Sequence, residues 1–221
     1  MTKHIDDAAR EERDFTRANL YRTLLADIEA AFDRLEVEGS ETSKRNLIRT
    51  MFAGIEGSLW SFKEHVRSIA LQIEKLTPLQ DFALSGRDYL ITDSGHIREK
   101  ARLISMLTMV KAITRLAEEF CPGFKADYND DGWPNLKLAI DVRNKITHPK
   151  RLQDLEISDD DILICRSALF WVLELGTQLM EAANTAFADD VHELKSILQD
   201  IKNGDERTLA VAEQIKNSLK N

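Results

Sequence analysis

The chain has 221 residues, 43% apolar and 31% charged, with only 9 Gly and 4 Pro, a composition that argues against disorder and favours amphipathic helices. Its net charge of −8 argues against a general nucleic-acid binder, and its two separated cysteines, Cys121 and Cys165, form neither a paired zinc motif nor a disulfide framework. No apolar run reaches the roughly 18 residues of a membrane span, so we expect a cytoplasmic protein with no membrane partner.

The first half of the chain is predicted to form long helices and one small hairpin. Apolar residues recur every three or four positions over residues 14–36 and again over residues 41–75, where they form a continuous stripe along a long helix. Such a stripe is suited to the core of a bundle or to a dimer interface. A short segment over residues 77–84 follows, and residues 89–97 predict a β-hairpin or a turn with extended arms.

The second half of the chain is predicted to be helical. A polar joint at Asp189-Asp190 and a stop signal at Asn203-Gly204 divide its C-terminal part into three helices. We therefore expect an all-α, up-down helical bundle over residues 1–188 and a C-terminal helical extension over residues 189–221. The predicted helices of this half cover residues 97–120, 134–148, 159–187 and 191–203, and the last helix uses Leu209, Ala212, Ile215 and Leu219.

The helix over residues 134–148 ends in a group of polar residues. Leu136 and Ile140 lie one turn apart on a face that the pattern predicts to be buried, and this face continues into Asn144 and His148. Arg143 lies beside them, and its long side chain can reach the same end of the helix. A second apolar stripe on the other side of this helix consists of Leu138, Val142 and Ile146.

His148 is the candidate general acid or base. It precedes Pro149, which disfavours the helical conformation in the residue before it, so His148 should lie at the helix terminus. The last carbonyls of a helix favour a protonated imidazole, whereas the nearby Arg143 and Lys145 oppose it. A ring under such opposing influences can titrate near neutral pH, as acid–base catalysis requires.

A basic spot surrounds this helix end on an otherwise acidic protein. Residues 141–151 hold four basic side chains against one aspartate, whereas residues 152–200 hold two basic and eleven acidic side chains. Such a spot is suited to a few phosphates rather than to a long duplex. The candidate substrate-binding residues are therefore Lys145, Lys150 and Arg151.

The segment around Arg143-Asn144, with His148 five positions after the arginine, resembles the signature of HEPN domains. That signature is R-x4-H, with a polar residue after the arginine, on a late helix of an all-α bundle. The resemblance is specific over about residues 133–173 and only architectural elsewhere. It implies a metal-independent endoribonuclease that uses no cofactor and dimerises so that two motifs face each other across one cleft.

The resemblance also implies a role for each residue. His148 would act as base toward the ribose 2′-hydroxyl or as acid toward the leaving 5′-oxygen, Arg143 would stabilise the charged transition state, and Asn144 would orient the phosphate or the imidazole. The implied partners are an RNA substrate, a second copy of the chain and an inhibitor or antitoxin protein, as in toxin–antitoxin and antiphage-defence systems. Lys150 stands where the R-x4-H-x-Y form has tyrosine, which argues against pairing with a nucleotidyltransferase antitoxin.

A non-catalytic interpretation of the same residues stays open. Arg143 could pair with Asp141, with Asp154 or with the acidic cluster at residues 159–161, and His148 could be a helix cap with a satisfied imidazole. The chain would then be a helical interaction module that binds a protein through residues 152–200 and the tail helices.

The three tryptophans of the chain are interpreted as structural residues. The residues Trp60, Trp133 and Trp171 stand at helical positions that predict core or interface packing rather than base-stacking platforms. Glu56 and Glu64, on the long second helix, are candidates to line the cleft.

Overall fold

The computed structural model describes the backbone of residues 2–218 and the side chains of residues 19–214. Over that part of the chain the protein is a bundle of helices with one antiparallel hairpin, so the predicted all-α class with a short hairpin is confirmed. Leu219, assigned to the last helix from the sequence, lies outside the described residues. The elements are α1 (Thr2–Glu38), α2 (Glu41–Gln72), α3 (Pro78–Leu84), β1 (Arg87–Ile91), β2 (Ile97–Ala101), α4 (Met106–Phe120), α5 (Gly132–Thr147), α6 (Asp159–Asn203) and α7 (Glu206–Ser218).

Local capping signals set several helix ends. Ser40 and Thr77 begin α2 and α3 with hydroxyl oxygens that accept a hydrogen bond from the amide three residues later. Ser158 and Asp161 form the capping box that their spacing predicts at the start of α6. Gly204 ends α6 with a φ of 78°, a left-handed conformation that glycine adopts without strain, so the predicted stop is confirmed.

Helix α2 lies at the centre of the bundle and packs against α1, α4 and α6. It runs parallel to α6, because Lys44 Nζ lies 2.9 Å from Asp159 Oδ1 where both helices begin, and His65 Nε2 lies 3.0 Å from Asn184 Oδ1 further along. The apolar stripe of α2 is therefore used inside the protomer. Its most deeply buried members are Leu47, Ile48, Met51, Ile55 and Val66.

Two glycines allow helices to approach closely around α6. Gly176 on α6 lies against the ring of Phe62, and Gly132 at the start of α5 lies against the indole of Trp171. A Cβ atom at either glycine would overlap the aromatic ring. Glycine thus lets α5 seat directly on α6, which sets where the far end of α5 lies.

The structure corrects two predicted boundaries. Residues 97–101 form β2, which pairs with β1 through Ile91 and Ile97, so the helix predicted over residues 97–120 begins only at Met106. The polar joint predicted at residues 189–190 does not interrupt α6. Both aspartates lie outside the buried core, and a solvated carboxylate leaves the backbone hydrogen bonds of a helix intact.

The burial of α6 ends well before the helix itself does. Among the described side chains, Ala186 is the last buried one, yet the helix continues to Asn203 and is followed by α7. The predicted division is a bundle over residues 1–188 and an extension over residues 189–221. No helix end marks this boundary, because α6 runs through residue 188 without a break. The division therefore stays a prediction.

One described helix, α6, is long and apolar enough by length and composition to cross a membrane, which the lengths of its uninterrupted apolar runs did not indicate. Of its most apolar 18-residue stretch, 44% is buried inside the bundle. Core helices of soluble proteins meet the same criterion, so the finding is compatible with a soluble bundle and is weak support for a membrane span.

Candidate functional site

Helix α5 carries Arg143, Asn144 and Lys145, ends at His148 and packs mainly against α6, and Lys150 and Arg151 lie in the loop that follows it. Its apolar pattern was assigned to two faces, but Leu138 is exposed, and Asn144 and His148 are exposed rather than buried. The residues that face the core recur at steps of three or four along α5. Asn144 and His148, which follow Ile140 at steps of four, therefore lie on a different side of the helix from the buried stripe. Its buried members are Leu136, Ala139, Val142 and Ile146.

His148 lies at the C-terminus of α5, as its position before Pro149 predicts. Its backbone N–H donates to the Asn144 carbonyl at 3.0 Å, and its φ of −127° is no longer helical. The imidazole is exposed, and it makes no hydrogen bond or ion pair with any of the side chains described over residues 19–214. The ring is therefore free to exchange a proton with a bound molecule.

Arg143 is held from two sides. One Nη atom forms an ion pair with Glu56 on α2, and the other donates to Asn144 Oδ1 at 3.2 Å. Its guanidinium carbon lies 5.8 Å from the centre of the Phe52 ring. The Arg143 side chain is still 32% exposed, and that of Glu56 is 49% exposed. Arg143 pairs with none of the carboxylates expected from the sequence, which are Asp141, Asp154 and the cluster at residues 159–161.

An open groove of about 830 Å³ runs between the end of α5 and the start of α6. It collects most of the predicted site: the catalytic candidates Asn144 and His148 and the substrate-binding candidates Lys145, Lys150 and Arg151. Lys145 and Lys150 have ammonium groups without a partner among the described side chains. We call this surface the His148 groove.

The His148 groove is not as basic as the sequence suggests. Asp141, Asp154 and Asp161 also line it, so three carboxylates face three cations. Asp154 Oδ2 accepts hydrogen bonds from the backbone N–H of Lys150 at 2.8 Å and of Arg151 at 3.1 Å. These bonds hold the pKa of Asp154 below its usual value, with the Lys150 amide as the largest cause. The Asp154 carboxylate therefore orders the loop that carries two candidate cations.

Arg143 opens onto a different surface. A second groove, of about 590 Å³, lies between α2, the base of the hairpin, the start of α4 and Arg143. Glu56, Trp60, Lys63 and Arg102 line it, and we call it the Trp60 groove. Asn144 joins the two surfaces, because it lines the His148 groove and accepts a hydrogen bond from Arg143.

Sequence reasoning found the α5 residues and missed most of the Trp60 groove. Glu56 was a candidate for lining a cleft, but its pairing with Arg143 spans 87 positions and has no local signal. Trp60 was assigned to core or interface packing, whereas its side chain reaches solvent beside Arg143. Arg102 was not singled out, because a helix was expected over residues 97–120, whereas Arg102 directly follows β2.

No protein-family model, curated protein or solved structure matches this chain. Within residues 19–214, whose side chains the structure describes, no group of three or more His, Cys, Asp or Glu side chains is placed to hold a metal ion. The function is therefore inferred from the chemistry of the two grooves and from the resemblance of the Arg143–His148 segment to HEPN domains.

Proposed function

We propose that this protein is a HEPN-type, metal-independent endoribonuclease that acts in the cytoplasm as a toxin or antiphage-defence effector. The observation that carries the proposal is the end of α5. There His148, an exposed imidazole that has no partner within residues 19–214, stands one helical turn from Asn144, which accepts a hydrogen bond from the Arg143 guanidinium. An imidazole that can transfer a proton and a planar guanidinium that can bind an anion are the minimum that cleavage of a phosphodiester requires. Here Asn144 lies between the two groups.

The proposed reaction begins with the 2′-hydroxyl of the RNA. His148 accepts the proton of that hydroxyl, whose oxygen attacks the adjacent phosphorus. The bond from phosphorus to the 5′-oxygen breaks, and the leaving oxygen takes a proton from a second imidazole or from water. The products are a 2′,3′-cyclic phosphate and a 5′-hydroxyl. Arg143 stabilises the negative charge that builds on the phosphoryl oxygens, and Asn144 orients the phosphate.

A second copy of the chain fits this chemistry. Arg143 and His148 of one protomer line different grooves, with Asn144 between them. A dimer in which the two α5 ends face each other would supply a second His148 as the acid. Sedimentation velocity on the active protein should therefore show a dimer, and an active monomer would contradict this part of the proposal.

The charges support binding to a short segment of RNA. Lys145 and Lys150 present ammonium groups beside His148 that no described side chain neutralises, whereas residues 152–200 carry an acidic excess that repels a long duplex. We expect a single-stranded loop or end to be cut, because it brings only a few phosphates to the site.

The test is cleavage of tRNA and total RNA by the purified protein in EDTA. His148→Ala should lower the rate by about 10²- to 10⁴-fold, the usual contribution of a general acid or base. His192→Ala is the matched control, because His192 is exposed on α6 away from both grooves and should leave the rate unchanged. Equal cleavage by the His148→Ala variant would contradict the proposal, and so would no cleavage by protein freed of any copurifying chain.

A second candidate function is a non-catalytic, HEPN-like interaction module. The exposed apolar residues of the C-terminal α6 and α7 segment favour it, because they lie beyond the core of the bundle and give a surface for a protein partner. Deletion of residues 190–221 would then abolish partner capture in a pull-down, and no RNA would be cleaved. The exposed apolar residues in question are Leu194, Ile197, Leu198, Leu209 and Val211.

A further inference from the structure

The Trp60 groove places a flat aromatic surface beside cations. Trp60 is 46% exposed, whereas the other two tryptophans, Trp133 and Trp171, are buried against each other and Tyr128. No hydrogen bond or ring contact involving Trp60 is found among the described side chains. An exposed indole in a groove is a surface on which an unpaired nucleobase can stack, because every base has a π-face.

The three cationic side chains that line the Trp60 groove differ in whether a carboxylate is paired with them. Lys63 is buried and its Nζ lies 2.6 Å from Glu64 Oε1, so its charge is already balanced inside the protein. Arg102 is exposed and has no side-chain partner over residues 19–214. Arg143 is paired with Glu56, but both side chains reach solvent. Arg102, which no described side chain neutralises, and Arg143, which a stronger anion can draw away from Glu56, are together suited to binding a single phosphate.

We propose that the Trp60 groove binds one unpaired nucleotide of a single-stranded RNA, with its base stacked on Trp60 and its phosphate bound by Arg102. The inference rests on the proposed ribonuclease function, because Arg143 borders this groove and contacts Asn144 of the His148 groove. The strand runs from the Trp60 groove past Arg143 to His148. A duplex is excluded, since a base that stacks on protein must leave its own stack.

An acidic peptide is the competing occupant. It would satisfy Arg102 but would leave the indole of Trp60 without a planar partner, whereas a nucleotide satisfies both. The groove is also open and lined by Leu103, which is almost fully exposed, so a ribose or a second base can pack there. The juxtaposition of an indole and a guanidinium favours a nucleotide.

The first test is binding of a 2′-O-methyl oligonucleotide, which lacks the attacking hydroxyl and stays intact. Because Trp60 is the one exposed tryptophan of the three in the chain, stacking on it should quench the intrinsic fluorescence of the native protein. A blunt duplex of the same length should give little quenching. Quenching by a poly-glutamate peptide but not by the oligonucleotide would overturn the proposal.

The second test measures affinity with a fluorescently labelled oligonucleotide by anisotropy. Trp60→Ala should weaken binding by about tenfold or more, as expected for the loss of one stacked base, and Trp60→Phe should recover part of the loss. Arg102→Ala should weaken binding and reduce its dependence on salt. Phe170→Ala is the matched control, because Phe170 is also exposed and has Arg166 over its ring at 6.0 Å, but lies on α6 outside this groove.

Different results would contradict the proposed nucleotide site and the proposed ribonuclease function. If the protein cleaves RNA and Trp60→Ala binds as tightly as the wild type, the nucleotide site is wrong and the ribonuclease function stands. If the oligonucleotide binds with quenching at Trp60 but no RNA is cut, the site stands and the ribonuclease function is wrong. Circular dichroism of Trp60→Ala and Trp60→Phe checks the fold, which should be unchanged because the indole is half exposed.

Discussion

The Arg143 guanidinium on α5 forms an ion pair with the Glu56 carboxylate on α2, and this pair ties the end of α5 to the central helix of the bundle. Both side chains reach solvent, so the pair adds little to stability, about 0–1 kcal/mol. Its larger effect concerns the charge that Arg143 can offer to a phosphate. In the proposed enzyme, an RNA phosphate competes with Glu56 for the same guanidinium.

Glu56→Gln should therefore tighten RNA binding. Removing the carboxylate frees Arg143 to bind a phosphate. We expect the KM for an RNA oligonucleotide to fall by about three- to tenfold, the effect of losing one competing ion pair that solvent partly screens. The melting temperature should change little, because the pair is exposed. Glu29→Gln, an exposed glutamate of α1, serves as the control. A rise in KM would mean that Glu56 positions Arg143 instead of competing for it.

Arg143→Lys should be nearly as inactive as Arg143→Ala. Lysine keeps the charge but loses the planar fork that contacts Glu56 and Asn144 at once. We expect kcat to drop by about 10²- to 10³-fold, as for the loss of one donor to a developing negative charge. Arg22→Lys, on the exposed surface of α1, should keep full activity. Full activity of Arg143→Lys would show that only the charge of this residue matters.

Asp154 should keep the loop of Lys150 and Arg151 ordered until strongly acidic pH. Its pKa is lowered in the folded protein, so its contribution to stability is present above the ordinary aspartate pKa of about 3.9 and is lost as the pH falls through the lowered value. A titration of the Lys150 amide resonance should have its midpoint below 3.9. Asp154→Asn should speed amide exchange at both residues at neutral pH, and unchanged exchange would contradict the role.

The two cysteines should be inert in the native protein. Burial raises the pKa of Cys121 to about 11 and that of Cys165 to about 12, so neither is a thiolate near neutral pH. A disulfide reagent at pH 8 should modify neither thiol until denaturant is added, and both thereafter. Rapid modification of either thiol without denaturant would show that the helices around it open.

Gly176→Ala should destabilise the bundle. Its methyl group would overlap the Phe62 ring between α6 and α2, and overpacking of this kind costs about 1–3 kcal/mol. Gly57→Ala is the matched control, because its nearest contact would be the end of the flexible Leu24 side chain. Urea unfolding of both variants measures the difference, and equal midpoints would mean that Phe62 moves aside freely.

Sequence patterns among residues close together in the chain correctly predicted most helices and several of their ends. The apolar stripe of α2, the Ser158–Asp161 capping box and the stop at Gly204 each depend on neighbours in the chain, and each is found in the structure. The position of His148 at a helix terminus follows from Pro149 in the same way.

Packing between distant segments decided what the sequence alone did not. The rotation of α5 on α6 exposes Leu138 and His148, and it brings Arg143 to Glu56 on α2. Trp60 becomes a groove residue because the hairpin base and the start of α4 meet beside it. The periodicity of a helix specifies which residues share a face. Which neighbour covers that face, and which polar groups meet at its edge, depends on contacts between residues far apart in the chain.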